Sequence, residues 1–257
     1  MYLMWYTRSV NKRLQSRTKQ GEQPEGLEKQ GKRVPAIFFR TGAGGEPVRD
    51  WLKDLSSEDR KRIGEDIKTV EFGWPIGMPV CRPLGDGVYE VRTSLARNRI
   101  ARALFYIDVK GRMVLLHGFM KKTQKTPGED LELARSNKSR HQSGSNEGAA
   151  MNARKKRKKT DYSGSTFDSF LDEEGIREEV EATAIKRVLA WQLERAMHEQ
   201  QKTKQVMAKQ LRTSRSQLDR LLDPRNVSVT LDTMARAARA VGKRLIIRVA
   251  DVKSKRV

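Results

Sequence analysis

The sequence predicts an α+β chain: a small antiparallel sheet with helices, followed by an all-α domain that closes on a short strand. Three observations predict it. Residues 84–122 carry three strand patterns in immediate succession. Residues 176–241 carry helical periodicity interrupted only by short polar turns. Between them, residues 141–164 are Ser, Gly, Asn and Ala around an unbroken basic run, Arg154–Lys159, the composition of a flexible linker. The expected organisation is therefore a disordered leader (1–33), a mixed domain (34–140), the basic linker (141–164), a helical domain (165–252) and a tail (253–257).

Each element has a local cause. "VPAIFFR" (34–40) is a short apolar strand, and "TGAGGEP" leads into a helix opened by Pro47, with Val48, Trp51, Leu52 and Leu55 on one stripe. The segment from Ser56 to Asp59 has the form of a capping box for a second helix, in which Ile63, Ile67 and Val70 face inward before "FGWPIGMP" stops it. "LGDGVYEVRTSL" (84–95) sets Val88, Glu90 and Arg92 against Tyr89 and Val91. "NRIARALFYIDVKGR" (98–112) ends in a Lys110-Gly111 turn, and "MVLLHGFMKK" (113–122) is apolar on both faces, as a central strand is. "GEDLELARSNKSR" (128–140) is a short helix. Beyond the linker a short acidic helix ends near Gly175, and a long one runs over 176–199. Its stripe passes from Ile176, Val180, Ala184 and Val188 to Ile185, Leu189, Leu193 and Ala196, so it has two packing partners or a bend. Two short helices, a third over 230–241 closed by Gly242, and a last strand "RLIIRVAD" complete the chain.

Composition bounds the function. The net charge is +21, and cations exceed acids in the leader, the mixed domain, the linker and the helical domain alike, which points to a polyanion partner, most simply nucleic acid. No apolar run reaches the length of a membrane span, and the opening "MYLMWYTRSVNKR" is too short and too broken for a signal peptide. A lone cysteine, Cys81, excludes an internal disulfide framework, and three scattered histidines lack metal-ligand spacing. The expectation is a cytoplasmic protein with no cofactor, no structural metal and no membrane partner.

Two constellations carry chemistry. In the first, Arg92, Arg102, Lys121 and Lys122 sit on three consecutive strands, where period-two geometry brings several onto one face. Such cations hold phosphate oxygens and stabilise the charge of a pentavalent transition state, and without a metal the nucleophile is the 2′-hydroxyl of RNA. An ordinary solvated sheet face has the same composition. Tyr106 and His117 are the nearby groups able to move protons, and both sit where core residues belong. In the second, "KQVMAKQLRTSRSQLDRLL" (204–222) has helix-turn-helix spacing, with Ser214 as the cap of the second helix and Arg215, Ser216, Gln217 and Arg220 projecting from it toward a major groove. Arg212 stands where glycine is commonest in that turn, and a plain helical hairpin has similar spacing.

"PLGDGVYEVR", "RALFYI" and "LLHGFMKKTQKTP" followed by "EDLELA" resemble the RelE/HigB-like toxin superfamily, in particular its phage-derived HigB-like branch, over 34–140. The resemblance implies a RelE-like sheet, ribosome-dependent cleavage of mRNA, and Arg92, Arg102 and Lys121 or Lys122 as the site cations. The functional tyrosine of that family near its C-terminus has no counterpart in 123–140, so a degenerate toxin retaining only the fold stays open. Residues 165–252, including "SVTLDTMARAARAVGKRLIIRV", resemble Xre-type antitoxins of the HigA kind, which implies operator DNA as partner, autorepression and a homodimer formed through this domain. The chain thus reads as a toxin joined to its antitoxin; a DNA-binding regulator with a dead toxin fold, or a separate protein starting at Met151, are the alternatives.

Residues 161–181 hold eight acids against one base, Arg177. Asp172, Glu173, Glu174 and Glu178 are expected to mask the toxin by screening Arg92, Arg102 and Lys121, through a contact made within or between chains. The same acids at a helix start also complement its dipole.

Overall fold

The computed structural model describes residues 34–121, 127–146, 160–224, 226 and 228–246. The architecture is α+β, a six-stranded, mostly antiparallel sheet with eight helices among the described residues. In chain order these are β1 (Ala36–Phe39), α1 (Pro47–Lys53), α2 (Ser57–Gly73), β2 (Cys81–Gly85), β3 (Val88–Ser94), β4 (Ile100–Ile107), β5 (Met113–Met120) and α3 (Gly128–Asn146). There follow β6 (Ser163–Thr166), α4 (Phe167–Glu173), α5 (Arg177–Glu199), α6 (Lys204–Gln210), α7 (Arg215–Leu222) and α8 (Leu231–Ala240).

The sheet order is β2-β3-β4-β5-β1-β6, with β1 parallel to β5 and every other pair antiparallel. β2 and β3 form a hairpin through Asp86-Gly87, both at positive φ (51° and 69°), the primed turn that matches strand twist. β5 is central and buried over most of its length. Trp51 of α1 lies flat on it: a Cβ at Gly118 would come within 2.2 Å of the indole, so only glycine fits there. One sheet face packs with α1, α2, α4 and the start of α5 around Phe38, Leu52, Ile63, Ile67, Phe105 and Leu115. The other packs with α3 around Ile37, Phe39, Leu104, Tyr106, Val114 and Ala134.

Two boundaries differ from the sequence expectation. α3 runs to Asn146, six residues into the stretch read as linker, and the other end of that stretch enters β6 at Ser163. β6 is "SGST", with no apolar alternation to announce it. It exists because β1 offers an unpaired edge: Ile37 faces Thr166, Phe39 faces Ser163, and Arg40 N–H donates to Tyr162 O at 2.8 Å. The leader, most of the linker, the tail and the bulk of "RLIIRVAD" lie outside the described residues; 244–246 carry no strand.

α5 has two packing partners. Val180 joins the sheet core with Ile176 and Trp191 beside it. Leu193, Ala196 and Met197 join a second core with Met207, Leu211, Leu218, Leu221, Met234 and Val241. No described helix is long and apolar enough to cross a membrane.

Candidate functional site

The register places the strand cations. Arg92 on β3 lies opposite Arg102 on β4, which lies opposite Phe119 on β5. One step along the same face, Arg82 on β2 lies opposite Glu90, which faces Leu104 and then His117. Two parallel rows result, Arg92–Arg102–Phe119 and Arg82–Glu90–Leu104–His117. Lys121 follows β5 directly, its N–H bonded to Ile100 O at 2.7 Å. Lys122 lies outside the described residues.

Glu90 is the pivot. Only 1% exposed, it pairs with Arg82 at 2.9 Å and with Arg102 at 3.1 Å. Arg102 is itself only 3% exposed, whereas the Arg82 side chain is 42% exposed. Burial lowers the Arg102 pKa; Glu90 opposes that fall, and Arg82 and Arg92 add to it by repulsion. Two guanidinium groups on the Glu90 carboxylate and a third, Arg92, opposite Arg102 leave a net positive patch, and the buried Arg92 Nε has no hydrogen bond among the described residues. The arrangement is suited to an anion at the exposed rim, with Arg102 beneath it. Arg102 is thus a core ion-pair partner, and its removal would cost Glu90 a buried counter-charge.

Tyr106 and His117 occupy different settings. Tyr106 is buried, its hydroxyl 2.6 Å from His141 Nδ1, and burial pushes its pKa up. His117 is half-buried, 2.7 Å from Asp130 of α3 and stacked on Phe119. Cys81 is buried with its thiol pushed up to about 12, first by burial and then by Glu90, so it remains a thiol at neutral pH.

The C-terminal half docks elsewhere. Phe167 and Phe170 of α4 are fully buried against Phe38, ring centroids 5.8 and 5.7 Å away in edge-to-face contact. Glu46 accepts from Ser165 N–H (2.7 Å) and Oγ (2.6 Å), which carry its pKa down against the opposing effect of burial. Lys68 of α2, completely buried, pairs with Glu71 (2.7 Å), Asp168 (2.5 Å) and Glu181 (3.0 Å); burial opposes its charge but these carboxylates hold its pKa above normal. Arg187 of α5 pairs with Glu65 (2.7 Å) and Asp66 (2.6 Å) of α2.

The acidic segment therefore finds other cations than those expected. Glu173 meets Arg49 and, at 3.8 Å, Lys53; Glu174 meets Arg60; Glu179 meets Lys61. Asp172 pairs at 2.9 Å with Arg177 of its own segment, and Glu178 stands in the first turn of α5. Apart from Arg177, these partner cations belong to α1 and α2. Arg82, Arg92 and Arg102 sit on β2–β4, at the far end of the sheet from β6.

In the helical half, Thr203 caps α6 and Ser214 caps α7, the latter accepting Gln217 N–H at 3.1 Å. Arg212 takes the left-handed conformation in the intervening turn (φ 52°), so the turn forms without glycine. Ser214, Arg215, Ser216, Gln217 and Arg220 are exposed, while Leu218, Leu221 and Leu222 are buried beneath them. Lys186 of α5 donates to Leu221 O (2.7 Å) and Asp223 O (3.0 Å), closing the C-terminal end of α7.

Residues 50–139 match the family described as phage-derived protein Gp49-like. It is a RelE/HigB-type toxin family. The match runs from α1 through most of α3 and contains Arg82, Glu90, Arg92, Arg102, His117, Phe119 and Lys121. No curated protein matches the chain. Sequence reasoning missed Arg82 and Glu90; the available signal was the Asp86-Gly87 dipeptide, which fixes the β2–β3 hairpin and hence brings Arg82 beside Glu90.

Proposed function

We propose that residues 34–146 are an RNA-cleaving toxin domain of the HigB kind and that residues 160–246 are a HigA-like antitoxin on the same chain. The supporting observation is that a net positive arginine cluster lies within the Gp49-like segment, at the end of the sheet opposite the docked C-terminal half. Arg82 and Arg92 at the rim bind the phosphate flanking the scissile bond, Arg102 adds its field from below, and the RNA 2′-hydroxyl is the nucleophile. Lys121, which directly follows β5 beyond Phe119, adds a further cation for the RNA backbone.

The C-terminal half holds the domain shut by bulk. Its contacts include strand addition to β1, aromatic insertion beside Phe38 and the ion pairs with α1 and α2, and a body anchored there blocks entry into the ribosomal decoding site without covering the arginines. α6 and α7 form the helix-turn-helix of an autorepressor, with Arg215, Ser216 and Gln217 on base edges and Ser214 and Arg220 on phosphates of a palindromic operator read by a homodimer.

One observation favours a second reading, a DNA-binding regulator whose toxin fold is inactive: Arg102 is buried on Glu90 instead of open to a ligand. Expression of residues 1–146, of 1–146 with 151–257 supplied separately, and of the full chain separates the two. The toxin reading expects growth arrest and ribosome-dependent mRNA cleavage from the first alone. Absence of both from soluble, folded 1–146 overturns it and leaves the regulator.

A further inference from the structure

Arg92, Arg102 and Phe119 form one row across β3, β4 and β5, so the aromatic ring stands about 10 Å from Arg92, two inter-strand spacings away, on the same sheet face. Phe119 is half-buried, unlike Val114, Leu115 and Leu116 earlier on its strand. One side of its ring is propped by His117, nearly parallel at 21° and 5.5 Å between centroids. His117 is fixed in turn by Asp130 of α3 at 2.7 Å. A rigid, partly open aromatic next to a phosphate-sized cation cluster is how proteins hold unpaired nucleic acid: the cations take the backbone and the ring takes a base. In a duplex the base faces are stacked on their neighbours and unavailable to such a ring.

We propose that Phe119 stacks on one nucleobase, with His117 and Asp130 as its positioning residues, so that the face binds single-stranded RNA as base plus phosphate. The inference rests on the RNA reading above. Its alternative is that Phe119 only closes the edge of the α3 core, against which it also packs.

The test is binding of the full chain to a fluorescently labelled, unstructured RNA of about eight nucleotides, and to an abasic ribose–phosphate strand of equal length, over a range of salt. Phe119→Leu keeps an apolar side chain and removes the ring. It is expected to weaken the base-bearing strand about fivefold or more, leave the abasic strand unchanged and preserve the salt slope. Arg92→Gln is expected to weaken both strands and reduce the salt slope by about 0.7, one phosphate contact on a single strand. As a check independent of the leucine variant's folding, emission from the indole introduced by Phe119→Trp, measured against the parent chain, should be quenched by the base-bearing strand and not by the abasic one. If Arg92→Gln has its effect while Phe119→Leu binds like the parent, or weakens both strands alike, or the indole stays unquenched, stacking is overturned and the RNA reading survives. If Arg92→Gln has no effect on either strand, the RNA site itself is overturned.

Discussion

Two cationic surfaces among the described residues are built in opposite ways. On the sheet, Arg82 and Arg102 share Glu90, and both Arg102 and Glu90 are almost fully buried. On α7, Arg215 and Arg220 stand exposed over an apolar underside of Leu218, Leu221 and Leu222. The sheet cations are part of what folds the domain, whereas those of α7 sit on a core that does not depend on them. On the proposed reading, the difference teaches that substitution at the first surface moves stability and function together, and at the second moves function alone.

The largest expected effect breaks the comparison if it fails. Arg102→Ala leaves Glu90 a buried carboxylate short of one counter-charge and should lower unfolding free energy by about 3–5 kcal/mol, read from urea denaturation of the full chain. Arg215→Ala should stay within about 0.5 kcal/mol of the parent in the same assay. Equal stability of the two variants would mean that the sheet arginines are as dispensable to the fold as those of α7.

How much of this was legible in the sequence depends on where the information sits. The apolar runs of β1, β4 and β5, the Ser56 cap and the double stripe of α5 are local patterns, and each is found where its pattern lies, save that Ile185 of the second stripe is exposed. β6 was illegible because "SGST" has no strand signal of its own; the free edge of β1, more than a hundred residues away, makes it one. The cations could be listed from sequence but their burial could not, because Arg102 is buried only when the register sets Glu90 beside it and β2 brings Arg82 across. The acids of 161–181 were visible as a block. Their partners on α1 and α2 were not, since Phe167 and Phe170 decide where the block lands.

The second effect is on binding. On the proposed reading, Arg215→Ala or Gln217→Ala should weaken operator DNA by roughly 1–3 kcal/mol and relax preference at one base pair, measured by titration on operator and random duplexes. Unchanged affinity for both duplexes removes α7 from the DNA interface. A smaller effect concerns the turn before it. Arg212 holds φ 52°, a conformation costly to any residue with a Cβ, so Arg212→Gly should stabilise the chain by about 1 kcal/mol. A loss of stability would mean that the Arg212 side chain makes contacts worth more than the backbone strain.

The smallest effect sharpens the contrast through pH. Glu46 ties β6 to the sheet half, and its folded pKa lies below the usual 4.5: burial pushes it up, but hydrogen bonds from Ser165 and Arg40 outweigh that. A carboxylate with a depressed folded pKa contributes stability above its unfolded value and loses it as pH falls through the folded one. Glu181, lowered by Lys68 and Arg177 against burial, has the same sign. Asp66 has the opposite sign. Burial pushes it up to about 6, more than Arg187 pulls it down, so the folded chain keeps a proton that the unfolded chain releases near 3.8. Its contribution therefore declines as pH rises between those two values. Urea midpoints compared with the parent should show Glu46→Gln flattening the acid limb below 4.5 and Asp66→Asn flattening the interval from 3.8 to 6. Arg215→Ala, on the exposed surface, should track the parent across the whole range. If Glu46→Gln also tracks the parent, the Ser165 contact is not holding β6 to the sheet in solution. Docking then rests on the two phenylalanines, the Lys68 cluster and the ion pairs of α4 and α5 with α1 and α2.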